Sequence, residues 1–207
     1  MPRYYPINLD VRGRTCLVVG GGEVAVRKAR ALVEAGGEVT VVAPEVHGKL
    51  KADDRIEVRE RPFRTTDLHG AFVVVVATDD DLVNRSVARD AADFGCLVNV
   101  VDCPALSSFI VPATLRRGEL AVCVSTGGAS PALSRRIRRR LEHEFTEDYA
   151  DFVEVLGEIR REVFDKVPDA ERRPEIFREL TDERWLDVLR EKGKDTLRTE
   201  MLKFIGE

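Results

Sequence analysis

Residues 15–29, TCLVVGGGEVAVRKA, constrain the fold more than any other stretch of this chain. Leu17, Val18 and Val19 form an apolar, mostly branched run that meets Gly20, Gly21 and Gly22, and a helical pattern starts at once. The pattern predicts a buried strand, a tight turn and a helix whose N-terminus is left open. Such a terminus presents unpaired N–H groups and a partial positive charge, and both suit a phosphate. The spacing Gly20-x-Gly22-x-x-Ala25 is the dinucleotide fingerprint with alanine at the third small position.

A glycine-rich turn by itself would fit many α/β proteins. Here a second strand, EVTVVA at residues 38–43, follows the helix and completes a βαβ unit of the expected length. The end of that strand separates one nicotinamide cofactor from the other, because an acidic residue there accepts from the ribose 2′-hydroxyl. The strand ends Ala43-Pro44-Glu45, which puts Glu45 a residue or two late for that contact. No arginine stands there to take a 2′-phosphate, so NAD is favoured over NADP.

Further strands are expected at residues 55–59, 71–77 (AFVVVVA) and 97–101 (LVNVV), with a helix from about residue 81 to Phe94 capped by one of Asp79, Asp80 and Asp81. Four or five parallel strands with intervening helices make a doubly wound sheet of Rossmann type. Ligands of such sheets sit beyond the carboxyl ends of the strands. Gly20, Gly22, Pro44, Glu45, Thr78, Asp79 and Asp102 all fall there. Asp102 follows so apolar a strand that a solvated position is not expected. A carboxylate there could serve as a general base beside a nicotinamide ring, or simply cap a turn.

The pattern changes from residue 108. Runs at 108–115 and 119–125 around Arg116, Arg117 and Gly118 predict an antiparallel hairpin with Gly118 as the left-handed residue. A loop of Ser125, Thr126, Gly127, Gly128, Ala129 and Ser130 leads into a helix to about Phe145, with Ser130 as N-cap and Pro131 at the first helical position. Its glycines, hydroxyls and helix terminus could receive carboxylates or phosphates. Beyond residue 146 the chain is charged and helical, with Leu156, Ile159, Val163, Phe164, Ile176, Leu180, Trp185, Leu189 and Leu202 as the apolar faces of three or four short helices.

Charge follows the same divisions. Residues 1–113 carry 14 Lys/Arg against 16 Asp/Glu, residues 114–140 carry 7 against 1, and residues 141–207 carry 12 against 20. The basic middle segment suits an anionic ligand, but without interleaved aromatic residues and with an acidic tail it does not suit nucleic acid. His47, His69 and His143 fall in no metal-ligand spacing, so no metal site is expected. The widely spaced cysteines give neither a zinc site nor a disulfide framework, and Cys16 and Cys123 are expected as small core residues. No apolar run is long enough to span a membrane and the N-terminal residues show no signal-peptide core, which points to the cytoplasm.

Taken together, these segments resemble the precorrin-2 dehydrogenases and the N-terminal, dehydrogenase–ferrochelatase part of the siroheme synthases. The resemblance rests on residues 6–9 (PINL), 16–25 (CLVVGGGEVA) with Arg27, Lys28 and Ala29, 77–80 (ATDD), 99–102 (NVVD), 108–113 (SFIVPA) and 125–131 (STGGASP). It implies NAD-dependent oxidation of precorrin-2 to sirohydrochlorin in siroheme or cobalamin synthesis, with ferrous iron as a second substrate in those members that also insert it. It implies a Rossmann domain at 1–113, a dimerisation region at 114–146, a helical domain at 147–207 and a homodimer. NAD would be contacted by Glu23 and Val24 and by Pro44 and Glu45. Asp102 would be the catalytic aspartate, and residues 125–128 would face the tetrapyrrole. Some relatives carry serine, open to modification, where this chain has Thr126. A non-enzymatic NAD-sensing module would share the glycine turn but would not need the 99–102 and 125–131 motifs.

Overall fold

Four valine-rich runs and the more polar IEVRE at β3 become five parallel strands, β1 (Thr15–Val19), β2 (Glu38–Ala43), β3 (Ile56–Glu60), β4 (Val73–Val76) and β5 (Leu97–Val100). The computed structural model describes residues 3–206, and the chain divides into two units, Met1–Val111 and Pro112–Glu207. In the first unit the strand order is β3-β2-β1-β4-β5, with Val18 of β1 registered against Val41 on one side and Val75 on the other. This is the doubly wound arrangement the alternating pattern predicts. Its topological switch point lies between β1 and β4, where crossovers leave in opposite directions.

Both faces of the sheet are covered, which is why its strands read as continuous apolar runs rather than alternating ones. On one face Cys16, Val18, Val39, Val41, Val73 and Val75 pack against Ala25, Val26 and Ala29 of α1 (Glu23–Glu34). The two alanines let the helix backbone approach the sheet closely. On the other face Leu17, Val42, Val74, Val76, Val98 and Val100 meet Val87, Ala88 and Ala91 of α3 (Asp81–Asp93). Asp80 is the aspartate that caps α3, its Oδ1 accepting from Leu82 N at 2.9 Å and Val83 N at 3.2 Å. Between β2 and β3 lies α2 (Gly48–Lys51), a single turn capped by the His47 ring.

The predicted hairpin begins later than its sequence suggests. Residues 107–109 do not enter it; they run along the free edge of β5. Ser107 Oγ accepts from Val100 N at 2.9 Å, Ser108 Oγ accepts from Val98 N at 2.8 Å, and Asn99 Nδ2 donates to Phe109 O at 3.0 Å. Serine hydroxyls thus occupy edge donors that would otherwise be open to another strand. Pro112 cannot donate to a ladder, and the hairpin starts after it.

In the second unit, β6 (Ala113–Arg117) pairs antiparallel with β7 (Leu120–Val124) across a two-residue turn at Gly118, φ +54°, and Glu119. A two-stranded ribbon covered on one face leaves alternate side chains outside. Cys123 is therefore exposed, contrary to the core position expected of it, while Cys16 is fully buried. All four cysteines are free thiols. Helix α4 (Pro131–Glu144) follows, with Pro131 first and Ser130 Oγ accepting from Leu133 N at 3.3 Å. Ser134 is its one buried residue, so the arginines of α4 lie on open faces.

Four helices complete the unit: α5 (Asp148–Lys166), α6 (Arg173–Glu179), α7 (Glu183–Lys192) and α8 (Lys194–Gly206). Phe152, Val155, Ile159 and Val163 of α5 form a core with Ile176, Trp185, Leu189, Leu197 and Met201. Trp185 is buried, and its indole N–H donates to Glu179 O at 3.0 Å, which satisfies the polar edge of the ring. Phe164 departs from the expected apolar face. It stays half exposed because Arg160 and Arg173 lie over its ring at 5.3 and 5.1 Å, a cation–π arrangement at the surface.

Candidate functional site

The glycine turn between β1 and α1 is built by close approach. Gly20 has φ +128°, a conformation L side chains rarely adopt, and a Cβ there would overlap the carbonyl of Ala77 just past β4. At Gly21 a Cβ would overlap the carbonyl oxygen of Glu45 and crowd Ala43. Gly22 is different, because a Cβ there would meet open space. The turn is thus wedged between the ends of β2 and β4 at Gly20 and Gly21, and opens outward at Gly22. Two hydrogen bonds fix it to the β2 side: Gly20 N to Val42 O at 3.0 Å and His47 N to Gly21 O at 2.9 Å.

Gly22 is the N-cap of α1 and, having no side chain, caps nothing. The first amides of α1, including those of Glu23 and Val24, therefore face outward with the positive end of the helix dipole behind them. An anion fits this cradle: open space at Gly22, donors without a capping side chain, and glycines that hold the turn clear. Glu23 itself is turned toward α2. Its Oε1 lies 3.0 Å from Lys49 Nζ and 3.2 Å from His47 Nε2. The Lys49 hydrogen bond holds the Glu23 carboxyl below its usual range.

Pro44 and Glu45 are exposed at the end of β2, and the Glu45 backbone lies directly against the glycine turn. The one- or two-residue lateness read from the sequence is absorbed there, since the chain turns at Glu45 rather than continuing the strand. Past β4, Thr78 donates its hydroxyl to Asn84 Oδ1 at 2.7 Å and its carbonyl accepts from Asn84 Nδ2 at 3.1 Å. Its polar side chain thus serves the first turn of α3, while Asp79 is exposed beside it.

Asp102 lies past β5 on the same carboxyl edge, two strands from the glycine turn. Contrary to the expectation of a shielded position, it is exposed. The physical reason is a turn that ends the apolar strand at Val100 and lifts Asp102 out of the sheet. Asp102 has φ +57°, the one non-glycine with positive φ among the described residues. An L-residue in that region carries strain, and such strain tends to accompany functional positions. Half-buried Lys28 of α1 feels the charge of Asp102. Burial pushes its amine down, and the Asp102 charge partly offsets that.

In the second unit the loop before α4 is organised by its own hydroxyls. Thr126 Oγ1 accepts from Ser130 N at 2.9 Å and lies 3.3 Å from Ser134 Oγ. Ser125 Oγ accepts from Gly127 N at 3.1 Å. Gly127 and Gly128 have φ +63° and +89°, so both use the freedom that only glycine supplies cheaply. With its oxygen accepting, Thr126 keeps its own hydroxyl hydrogen for an outside acceptor. The structure thus assembles Gly20, Gly21, Gly22, Glu23, Glu45, His47 and Lys49 in one place, sets Asp102 further along the same edge, and carries residues 125–128 on the other unit. Sequence reading placed Gly21 in the turn and named His47 without giving either a site role, and it overlooked Lys49. The signal for Gly21 was the third glycine in a motif that needs two, and for the others a basic His-Gly-Lys directly after the second strand.

Comparison with known proteins accords with this geometry. A family model described as "Putative NAD(P)-binding" matches residues 7–113, and one described as "Sirohaem biosynthesis protein central" matches residues 117–144. The solved structure of SirC, a precorrin-2 dehydrogenase, superposes with a TM-score of 0.77 at 30% identity, covering 98% of each chain. The chain belongs to the precorrin-2 dehydrogenase family. Siroheme synthases are similar too: that of Methylococcus capsulatus is 42% identical over 173 residues and that of Nitrosococcus oceani 41% over 168, covering 82% and 80% of this chain. The chain spans about a third of those relatives' length, 36% in each case. In this family member the first unit is the NAD(P)-binding domain, and its Rossmann sheet is the one the matched region forms. No helix among the described residues is long and apolar enough to cross a membrane.

Proposed function

We propose that this chain oxidises precorrin-2 to sirohydrochlorin with NAD, in siroheme synthesis. The observation that carries the reading is the strand order. It places Glu45 on one side of the open glycine turn and Asp102 on the other, all on one carboxyl edge. A dinucleotide crossing the switch point then has its adenosine ribose toward β2 and its nicotinamide toward β4 and β5.

NAD, when bound, supplies the hydride acceptor. The residues of the chain do the rest. The amides of Glu23 and Val24 hold the pyrophosphate, with Gly20 and Gly22 keeping the backbone close to it. Glu45 accepts from a ribose hydroxyl, and Pro44 fixes the turn that presents it. Thr78 and Asp79 border the nicotinamide half. Asp102, exposed and held in its strained conformation, takes the proton that the macrocycle loses with the hydride. Ser125, Thr126, Gly127 and Gly128 bind substrate carboxylates, through the free Thr126 hydrogen and the positive end of α4. The charge of residues 114–140 supports a polycarboxylate substrate. A homodimer, ferrous iron as a second substrate and a cytoplasmic location belong to the same proposal. The open face of the β6–β7 hairpin, with Cys123 and Ala121 outward, supports the dimer.

The test is turnover of precorrin-2 with NAD, followed by NADH absorbance. Asp102→Asn is expected to lower turnover by about 10²–10⁴-fold while NAD still binds. Undiminished turnover in that variant removes Asp102 from the chemistry, and absence of NADH formation by the native chain removes the reading itself.

A further inference from the structure

The end of β2 holds two basic residues that the reaction leaves unused. Lys49 and His47 follow Glu45 by four and two residues, in the position from which a Rossmann protein recruits a cation for a 2′-phosphate. Both are already engaged. Both meet the Oε1 of Glu23, Lys49 Nζ at 3.0 Å and His47 Nε2 at 3.2 Å. The His47 ring is oriented for this contact: its Nδ1 accepts from Lys49 N at 3.1 Å, which leaves the hydrogen on Nε2 to face Glu23. The backbone ties the same loop to the turn through His47 N and Gly21 O.

We propose that Glu23 is a specificity-determining residue, which by engaging Lys49 and His47 competes for the donors a 2′-phosphate would need and so sets the preference for NAD over NADP. This rests on the cofactor reading above. Two effects act in the same direction. With Glu23 present, a 2′-phosphate would meet the Glu23 carboxylate beside both basic side chains, which it already engages. Without it, Lys49 and His47 are released together. A groove of about 420 Å³ opens at this point along α1, lined by Glu23, Arg27, Arg30 and Glu34 of that helix and by Lys49. The groove's charged lining is already net positive, with Arg27, Arg30 and Lys49 against Glu23 and Glu34, and loss of Glu23 makes it more so. The Glu23–Lys49 ion pair is exposed, with Glu23 65% and Lys49 53% accessible, so it does not hold the fold together and can be exchanged for a ligand contact.

The experiment is calorimetric titration of the full chain with NAD and, separately, NADP. In Glu23→Gln the ratio of NADP to NAD affinity should rise about tenfold, the worth of one charge-assisted hydrogen bond regained. In Glu23→Gln combined with Lys49→Met the ratio should fall back toward that of the native chain. Lys49→Met alone should give NADP no gain. An unchanged ratio in Glu23→Gln overturns the proposal, as does a gain that survives the loss of Lys49. If the native chain binds NAD with the ratio unmoved in the variants, the gate alone is wrong. If it binds no NAD, the cofactor reading has failed and takes the gate with it.

Discussion

Asp67 offers the sharpest energetic test of the first unit. It sits in the turn between β3 and β4 with its side chain 2% accessible. Arg61 Nη1 donates to its Oδ2 at 2.8 Å, Arg59 Nη1 to its Oδ1 at 3.2 Å, and the Arg64 backbone N–H to its Oδ2 at 2.9 Å. The Arg61 hydrogen bonds, then the Arg64 amide, outweigh desolvation and hold the carboxyl at about 2, against 3.8 for an ordinary aspartate. At about 1.4 kcal/mol per unit, the ionised form is favoured in the fold by roughly 2.5 kcal/mol. Because the folded value is depressed, this stability is fully present above pH 4 and is lost as the pH falls toward 2. Asp67→Asn should therefore cost about 2–3 kcal/mol at neutral pH and almost nothing near pH 2. Hydrogen exchange of the β2 and β3 amides reads this locally, since the lone tryptophan, Trp185, reports on the second unit. A cost below about 1 kcal/mol at neutral pH, or one that does not change between pH 5 and pH 2, refutes the reasoning.

Two other substitutions probe the frame. Gly21→Ala would push a methyl into the Glu45 carbonyl; it should cost about 1–3 kcal/mol and abolish NAD binding by calorimetry, whereas Gly22→Ala, which meets open space, should leave thermal stability nearly unchanged. Leu197→Ala, in a fully buried position of α8, should destabilise the helical core by about 2–5 kcal/mol, visible as an earlier urea midpoint in Trp185 fluorescence.

The sheet was legible because its physics is local and repeated. A parallel strand buried on both faces must be apolar throughout, so 71–77 and 97–101 announced themselves, and Glu38–Ala43 matches to the residue. The same logic failed where burial is one-sided. Cys123 sits in a strand as apolar as the others, but a two-stranded ribbon has an open face, and sequence cannot show how many strands will cover a residue. The run at 108–115 failed for a related reason. Its Ser108, with Ser107 just before it, acts through the side chain on the edge of β5, and an apolar pattern registers a serine only as an interruption.

Asp102 shows where legibility ends at the site itself. Its identity and its place after an apolar strand were visible, and they suggested shielding. What the chain does instead is end β5 at Val100 and turn through a left-handed aspartate. Exposure leaves the carboxylate open to a ligand at the carboxyl edge of the sheet. The arrangement found leaves Lys28 half buried on α1 and Asp102 free for a ligand. The backbone strain at φ +57° replaces packing as the means of aiming the side chain. Asp102→Gly separates the two contributions: it should relieve the strain and raise thermal stability slightly, yet lose turnover as fully as Asp102→Asn. A glycine variant that is less stable than the native chain would mean that the carboxylate, not the turn, holds this segment in place.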